Sequence, residues 1–88
     1  MTSRHLIVHG TVQGVFYRDW TVAAARNRGV TGWVRNRQDG TVEARLEGEE
    51  DAVETLIAAM HEGPPSARVE RIDQNEAQTD GFASFERI

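Results

Sequence analysis

Across residues 6–12 every second position, Leu6, Val8, Gly10 and Val12, is apolar or small, which is the period of a strand with one buried face. His5, Ile7, His9 and Thr11 take the other face. The alternation breaks around Gly14, and residues 18–28 read as a helix with Trp20, Ala23 and Ala24 as its core contacts and Gly29 as its stop. It returns in Val30, Gly32, Val34 and Asn36 and, past Asp39-Gly40, in Val42, Ala44 and Leu46, which makes a hairpin. The outward residues Arg35, Glu43, Arg45 and Glu47 mix signs, the pattern of a solvated sheet face with cross-strand pairs. Between positions 49 and 61, Ala52, Val53, Leu56, Ile57 and Met60 recur at helical spacing. Glu49, Glu50 and Asp51 suit the positive N-terminus of that helix, and Gly63-Pro64-Pro65 ends it. Two weaker strands, at 67–72 and 82–88, flank a polar stretch at 73–81.

The order is βαββαβ with one extra C-terminal strand. We read an α+β fold, an α/β sandwich of the ferredoxin-like split βαβ type, with an antiparallel sheet carrying two helices on one face. Residues 1–88 form a single domain in this reading. A right-handed helical crossover makes the first two strands parallel, and the third inserts between them, antiparallel to both. The C-terminal ends of the first two then share one edge of the sheet, two strand spacings or roughly 10 Å apart. One ligand can touch both ends, which are the segment 12–18 and Asn36.

That segment has what an anion site needs: Gly14 to permit unusual backbone angles, amides without ladder partners, and the first turn of a helix. Arg18 adds a planar fork of donors matched to two phosphate oxygens. Taken singly, Arg18 is an ordinary surface residue of a helix's first turn, and Asn36 is a polar residue leading into an Asp-Gly turn. Their joint context points to a phosphoryl group.

Composition narrows the chemistry further. The chain of 88 residues has no Cys, so a thiolate nucleophile, a disulfide and a Cys-based metal site are excluded. Its basic residues number 10 and all are Arg, which removes Schiff-base chemistry and the lysine of a nucleotide-binding Gly-rich loop. A net charge of −4 argues against nucleic acid as a partner. Only three consecutive aliphatic residues follow the opening Met-Thr-Ser-Arg-His, far short of a membrane span of about 20 residues. The expectation is a cytoplasmic monomer with no membrane partner. A domain this small buries only about 60–65 % of its unfolded surface, so its chemistry belongs in a shallow surface loop.

The run Gly10-Thr11-Val12-Gln13-Gly14-Val15-Phe16-Tyr17-Arg18 resembles the first signature of the acylphosphatase family. Gly32-Trp33-Val34-Arg35-Asn36, followed by Gly40, Val42 and Gly48, resembles the second, and the likeness covers the chain from His5 onward. What the resemblance implies is hydrolysis of the carboxyl-phosphate anhydride of an acyl phosphate to a carboxylate and inorganic phosphate. It implies a phosphate cradle from the backbone of Gln13, Gly14, Val15, Phe16, Tyr17 and Arg18, with the Arg18 guanidinium on the phosphate and the Asn36 amide orienting the attacking water. No metal or cofactor is called for. Tyr17 stands where Phe is more usual, and Arg87 stands where an apolar residue is expected in the last strand, which leaves that strand's register open.

Other readings of the same residues are weaker. Asp19 beside Arg18 could be imagined as a phosphorylated nucleophile, but an acid early in a helix is favourable for dipole reasons alone. His5 and His9 have a metal-ligand spacing only on a helix; on a strand they lie about 14 Å apart. His61 suits the C-terminal end of its helix. A ferredoxin-like sheet can also bind RNA through stacking aromatics, for which only Trp33 is available. A non-catalytic phosphate- or acyl-phosphate-binding module is the nearer alternative, like the domain resembling the N-terminal part of carbamoyl-transferring hydrogenase maturation proteins. A chain that begins with Met and finishes with the last strand of the fold leaves no room for a partner domain in this reading. The inferred contacts grip the phosphate and leave the acyl group unspecified.

Overall fold

Leu6 and Val8 sit opposite Ala44 and Val42 across one strand pair, and Val34 sits opposite Ala44 across the next, so three strands present their apolar rows to one side. The computed structural model describes residues 1–88 as β1 (Thr2–Thr11), α1 (Tyr17–Asn27), β2 (Thr31–Asn36), β3 (Val42–Gly48), α2 (Glu50–Glu62), β4 (Arg68–Glu76) and β5 (Phe85–Arg87). The strands form one sheet in the order β4-β1-β3-β2-β5. Helix α1 rests on β2 and β5 and α2 on β3 and β4, closing a core that includes Leu6, Val34, Leu46, Leu56 and Phe85. This is the ferredoxin-like α+β sandwich, with β3 antiparallel between β1 and β2 as its topology requires.

The fifth strand corrects the expectation of an antiparallel sheet. β5 pairs with β2 in parallel, Gly32 opposite Phe85 and Val34 opposite Arg87, so the sheet is mixed. The strand is only three residues long, shorter than the segment 82–88 suggested. β4 in turn continues through the polar residues Asp73 to Glu76, because an edge strand with exposed side chains gives no apolar alternation to read.

Helix α1 turns a different face inward from the one expected. Tyr17, Thr21 and Ala25, spaced four apart, are its buried residues, whereas Ala23 is exposed and Trp20 and Ala24 are half-buried against the core. A threonine is no signal of burial, but here its hydroxyl donates to the Tyr17 carbonyl four residues back, 2.8 Å away, so no polar group is stranded. Gly29, at φ 70°, closes the helix as the sequence suggested.

Glu47 is the other reversal. Placed by pattern on the solvated face, it is 1 % exposed and is the anchor of the segment before β5. Its carboxylate accepts from the backbone N–H of Asp80 at 2.6 Å and of Gly81 at 3.0 Å and from the Ser3 hydroxyl at 3.3 Å. Arg45 stands 3.6 Å away and also pairs with Asp80 at 3.0 Å. Burial opposes the charge on Glu47, but the backbone N–H groups of Asp80, Gly81 and Phe82 and the Ser3 hydroxyl outweigh it and hold the carboxyl below the ordinary value of 4.5. A depressed folded value means that this stabilisation is complete above about pH 4.5 and disappears as pH falls through the folded value. Thermal melts of the natural chain and Glu47→Gln should therefore differ most near neutrality and converge as pH falls well below the ordinary carboxylate value. A stability gap that is the same at both ends would contradict the anchoring role of the charge.

Candidate active site

Val8 and Asn36 both pair with Val42, from β1 on one side and β2 on the other, so the C-terminal ends of the two parallel strands do meet at one edge of the sheet. The loop leaving β1 is tied across that gap by a side chain. Gln13 Nε2 donates to the carbonyls of Arg37, at 2.7 Å, and Thr41, at 2.8 Å, in the turn after β2. The amide side chain of Gln13 thus fixes the loop relative to Asn36, a positioning role that sequence reasoning, which used only the backbone of residue 13, did not supply. The turn itself is set by Asp39, whose Oδ1 accepts from the N–H and the hydroxyl of Thr41 at 3.0 and 2.6 Å. Those two bonds hold the exposed Asp39 carboxyl below its ordinary value.

Within the loop, Gly14 has φ 74° and Phe16 has φ 66°, so the chain turns twice through the left-handed region before α1 begins. Phe16 is the N-cap residue and supplies no side-chain hydrogen bond. The first intrahelical bond runs from the Trp20 N–H to the Phe16 carbonyl, 3.0 Å, which leaves the N–H groups of Tyr17, Arg18 and Asp19 without helical acceptors at the positive end of the helix dipole. The neighbouring residues brace the loop from beneath. Val15 packs on the core and its carbonyl accepts from the Ser66 hydroxyl at 2.9 Å. The Tyr17 ring is buried, and its hydroxyl donates to the Met60 carbonyl in the last turn of α2 at 2.8 Å. Burial pushes the Tyr17 phenol well above its ordinary value, so it stays a neutral donor. Tyr in place of Phe is therefore accommodated, with its one polar atom satisfied. Gly63 makes room for that ring, since a β-carbon there would lie 2.9 Å from it.

Arg18 and Asn36 line the same hollow of about 220 Å³, together with Gly14, Phe16, Asp19 and Arg87. One Arg18 guanidinium N–H donates to the Ile88 carbonyl at 3.3 Å. Asn36 Oδ1 is buried and bonds to no group of the protein. An unmatched buried acceptor costs about 1–3 kcal/mol, and a catalytic or binding role is one reason for a fold to keep it. Arg87 answers the question left by its sequence position. Paired with Val34, it falls on the helix side of the sheet, beside the start of α1, and its Nη1 donates to Asp19 Oδ1 at 2.9 Å. Nothing in the sequence joins residue 87 to residue 19; only the parallel pairing of β5 does. Asp19 is thus engaged by Arg87 at the rim of the hollow.

The glycine of the second motif has a steric reason. At Gly32 a β-carbon would stand 1.9 Å from the Arg45 carbonyl oxygen, so β2 can approach β3 only without a side chain. The histidines are dispersed. His5 meets Glu43 at 2.6 Å and His9 meets Asp73 at 2.9 Å, each on its own carboxylate, and His61 is exposed in the last turn of α2. No helix is long and apolar enough to cross a membrane.

These observations define a class: a ferredoxin-like α+β sandwich with an anion-suited loop and an arginine at the edge of its sheet. The acylphosphatase family model matches residues 4–87. The chain is 56 % identical over 85 residues to an acylphosphatase of Acidovorax sp., covering 97 % of this chain and 88 % of that one. The crystal structure of acylphosphatase from Bacillus subtilis superposes with a TM-score of 0.97 at 36 % identity, over 100 % of this chain and 99 % of that one. The T. kodakarensis HypF structure contains a similar unit, TM-score 0.88 at 32 % identity, which covers 100 % of this chain but 12 % of that one. The chain belongs to the acylphosphatase family. It is accordingly an enzyme, one that hydrolyses acyl phosphates.

Proposed function

We propose that the hollow between residues 14–19 and Asn36 is where the acyl phosphate reacts, with the Arg18 guanidinium and the backbone amides of Gln13, Gly14, Val15, Phe16, Tyr17 and Arg18 holding the phosphoryl group and Asn36 holding the water. The observation that carries this reading is the shared lining of one hollow by Arg18 and Asn36, which come from different strand ends. Phosphoryl transfer asks the protein for positioning and charge stabilisation rather than covalent chemistry. Arg18 and the N-terminal amides of α1 meet the charge on the equatorial oxygens. Asn36 aims the water oxygen at phosphorus, in line with the departing acyl oxygen.

The bond from water oxygen to phosphorus forms as the bond from phosphorus to the acyl oxygen breaks, and the electron pair leaves with a carboxylate. A carboxylate departs without protonation, so no general acid is required. Asn is no base near neutral pH, and a phosphate oxygen of the substrate takes the water proton, leaving inorganic phosphate as the second product. Asp19 is not the nucleophile in this scheme, being held by Arg87. The test is hydrolysis of benzoyl phosphate in the presence of a chelator, with a simple phosphate monoester as control. Rapid loss of the first and none of the second is expected, whereas turnover that vanishes with the chelator would overturn the cofactor-free scheme.

The same reading takes residues 1–88 as one functional domain, acting as a cytoplasmic monomer without a nucleic-acid partner. The net charge of −4 supports it, and so does Trp33, whose ring is covered by the Arg35 guanidinium at 5.3 Å rather than open to a base. A phosphate-binding module without turnover has the same contacts, and the benzoyl phosphate assay separates the two.

A further inference from the structure

Phe16 is 77 % exposed, although it is one of the largest apolar side chains in the molecule, and it occupies a backbone conformation, φ 66°, that no other residue except glycines adopts here. The left-handed region is unfavourable for a residue with a β-carbon, and exposing a ring to water gives nothing back to the fold. Neither feature has a folding rationale. Phe16 is among the residues that line the hollow holding Arg18 and Asn36. Val12 and Tyr17 also border that hollow, but each is only 1 % exposed, so Phe16 supplies its accessible apolar surface.

A second hollow, lined by Arg35, Asn36, Arg37, Gln38 and Asp39, contains no apolar residue. Asn36 belongs to both. In-line displacement puts the incoming water and the outgoing acyl group on opposite sides of phosphorus. Of the two hollows, only the one containing Phe16 offers apolar surface to an acyl group.

We propose that the Phe16 ring is a specificity-determining platform for the acyl half of the substrate, favouring acyl phosphates with an aromatic or extended aliphatic acyl group over small ones such as acetyl phosphate. The proposal rests on the catalytic reading given above and adds to it the side-chain role of a residue that was assigned only through its backbone. Stacking of an apolar group on one ring face corresponds to about two- to tenfold in binding.

The experiment compares kcat and KM for benzoyl phosphate and acetyl phosphate in the natural chain, Phe16→Leu and Phe16→Asn, with thermal melts of all three. Asn tolerates the left-handed region and removes the ring, whereas Leu keeps apolar surface. The ratio of kcat/KM for benzoyl over acetyl phosphate should fall about two- to tenfold in Phe16→Asn, through KM, and less in Phe16→Leu, while Phe16→Asn melts no lower than the natural chain. An unchanged ratio, a parallel loss on both substrates, or a markedly lower melting temperature in Phe16→Asn would overturn the proposal. Failure of the natural chain to hydrolyse either substrate would defeat the catalytic reading itself, which distinguishes the two.

Discussion

Asn36→Ala should fold normally and lose about 10²–10³-fold in kcat, with a much smaller change in KM. The side chain is half-buried at the end of β2, and its Oδ1 bonds to no other group of the protein, so its removal breaks no contact that the fold depends on. On the proposed reading, what it removes is the aim of the water. Misplacing a reactant by about 1 Å is enough to cost two orders of magnitude, and an unheld water is misplaced by more. Because the phosphoryl group is gripped elsewhere, binding survives. Steady-state kinetics with benzoyl phosphate read this directly: near-normal kcat would reject the role of Asn36, and a loss confined to KM would move it to the binding of the phosphate.

Arg18→Gln should show the complementary signature, a loss of about 10³-fold or more in kcat/KM that includes a clear rise in KM. Of the two arginines that line the hollow, Arg18 is the one without a carboxylate partner, since Arg87 is engaged by Asp19. On the proposed reading it neutralises the phosphate in the ground state and meets charge gathering on the equatorial oxygens in the transition state. Loss of its 3.3 Å bond to the Ile88 carbonyl affects only an exposed contact, so the melting temperature should shift by no more than a few degrees. Arg18→Lys should recover only part of the activity, because a point charge does not reproduce the two-pronged geometry. A kcat/KM within a few-fold of the natural value in Arg18→Gln would mean that the phosphate is held elsewhere.

The parts of this molecule that sequence reasoning reached are those governed by a short period. Leu6, Val8, Val34, Val42, Ala44 and Leu46 alternate because β1, β2 and β3 are covered on one face, and α2 shows its buried Val53, Leu56, Ile57 and Met60 as a helical stripe. Order of elements then fixed the meeting of the β1 loop with Asn36, since only one strand lies between two parallel neighbours. The failures have a common physical origin in long-range partners. Glu47 reads as solvated until the segment carrying Asp80 and Gly81 folds over it, and Ser3 becomes part of β1 in the same neighbourhood. Thr21 is buried by a hydroxyl bond that no hydropathy pattern records. β5 has three residues and two exposed charges, yet its parallel pairing brings Arg87 to Asp19 across 68 positions of sequence.

At the site the same division holds. Arg18, Gly14 and Asn36 stand out by residue type and motif, and the structure brings all three to one hollow. The bridge from Gln13 to the carbonyls of Arg37 and Thr41 does not, because both acceptors are backbone atoms and carry no sequence signal. The exposed ring of Phe16 was also hidden, since a Phe between Val15 and Tyr17 reads as one more apolar residue of the loop.

A titration of the ¹⁵N-labelled chain with inorganic phosphate locates the anion without depending on turnover. The account predicts saturable shifts in the backbone amides of residues 14–18, the Arg18 side chain and the Asn36 side-chain amide, with Arg35, Arg45 and the histidines on the open sheet face unmoved. Shifts concentrated on that open face, with the amides of Gly14 and Arg18 silent, would contradict it.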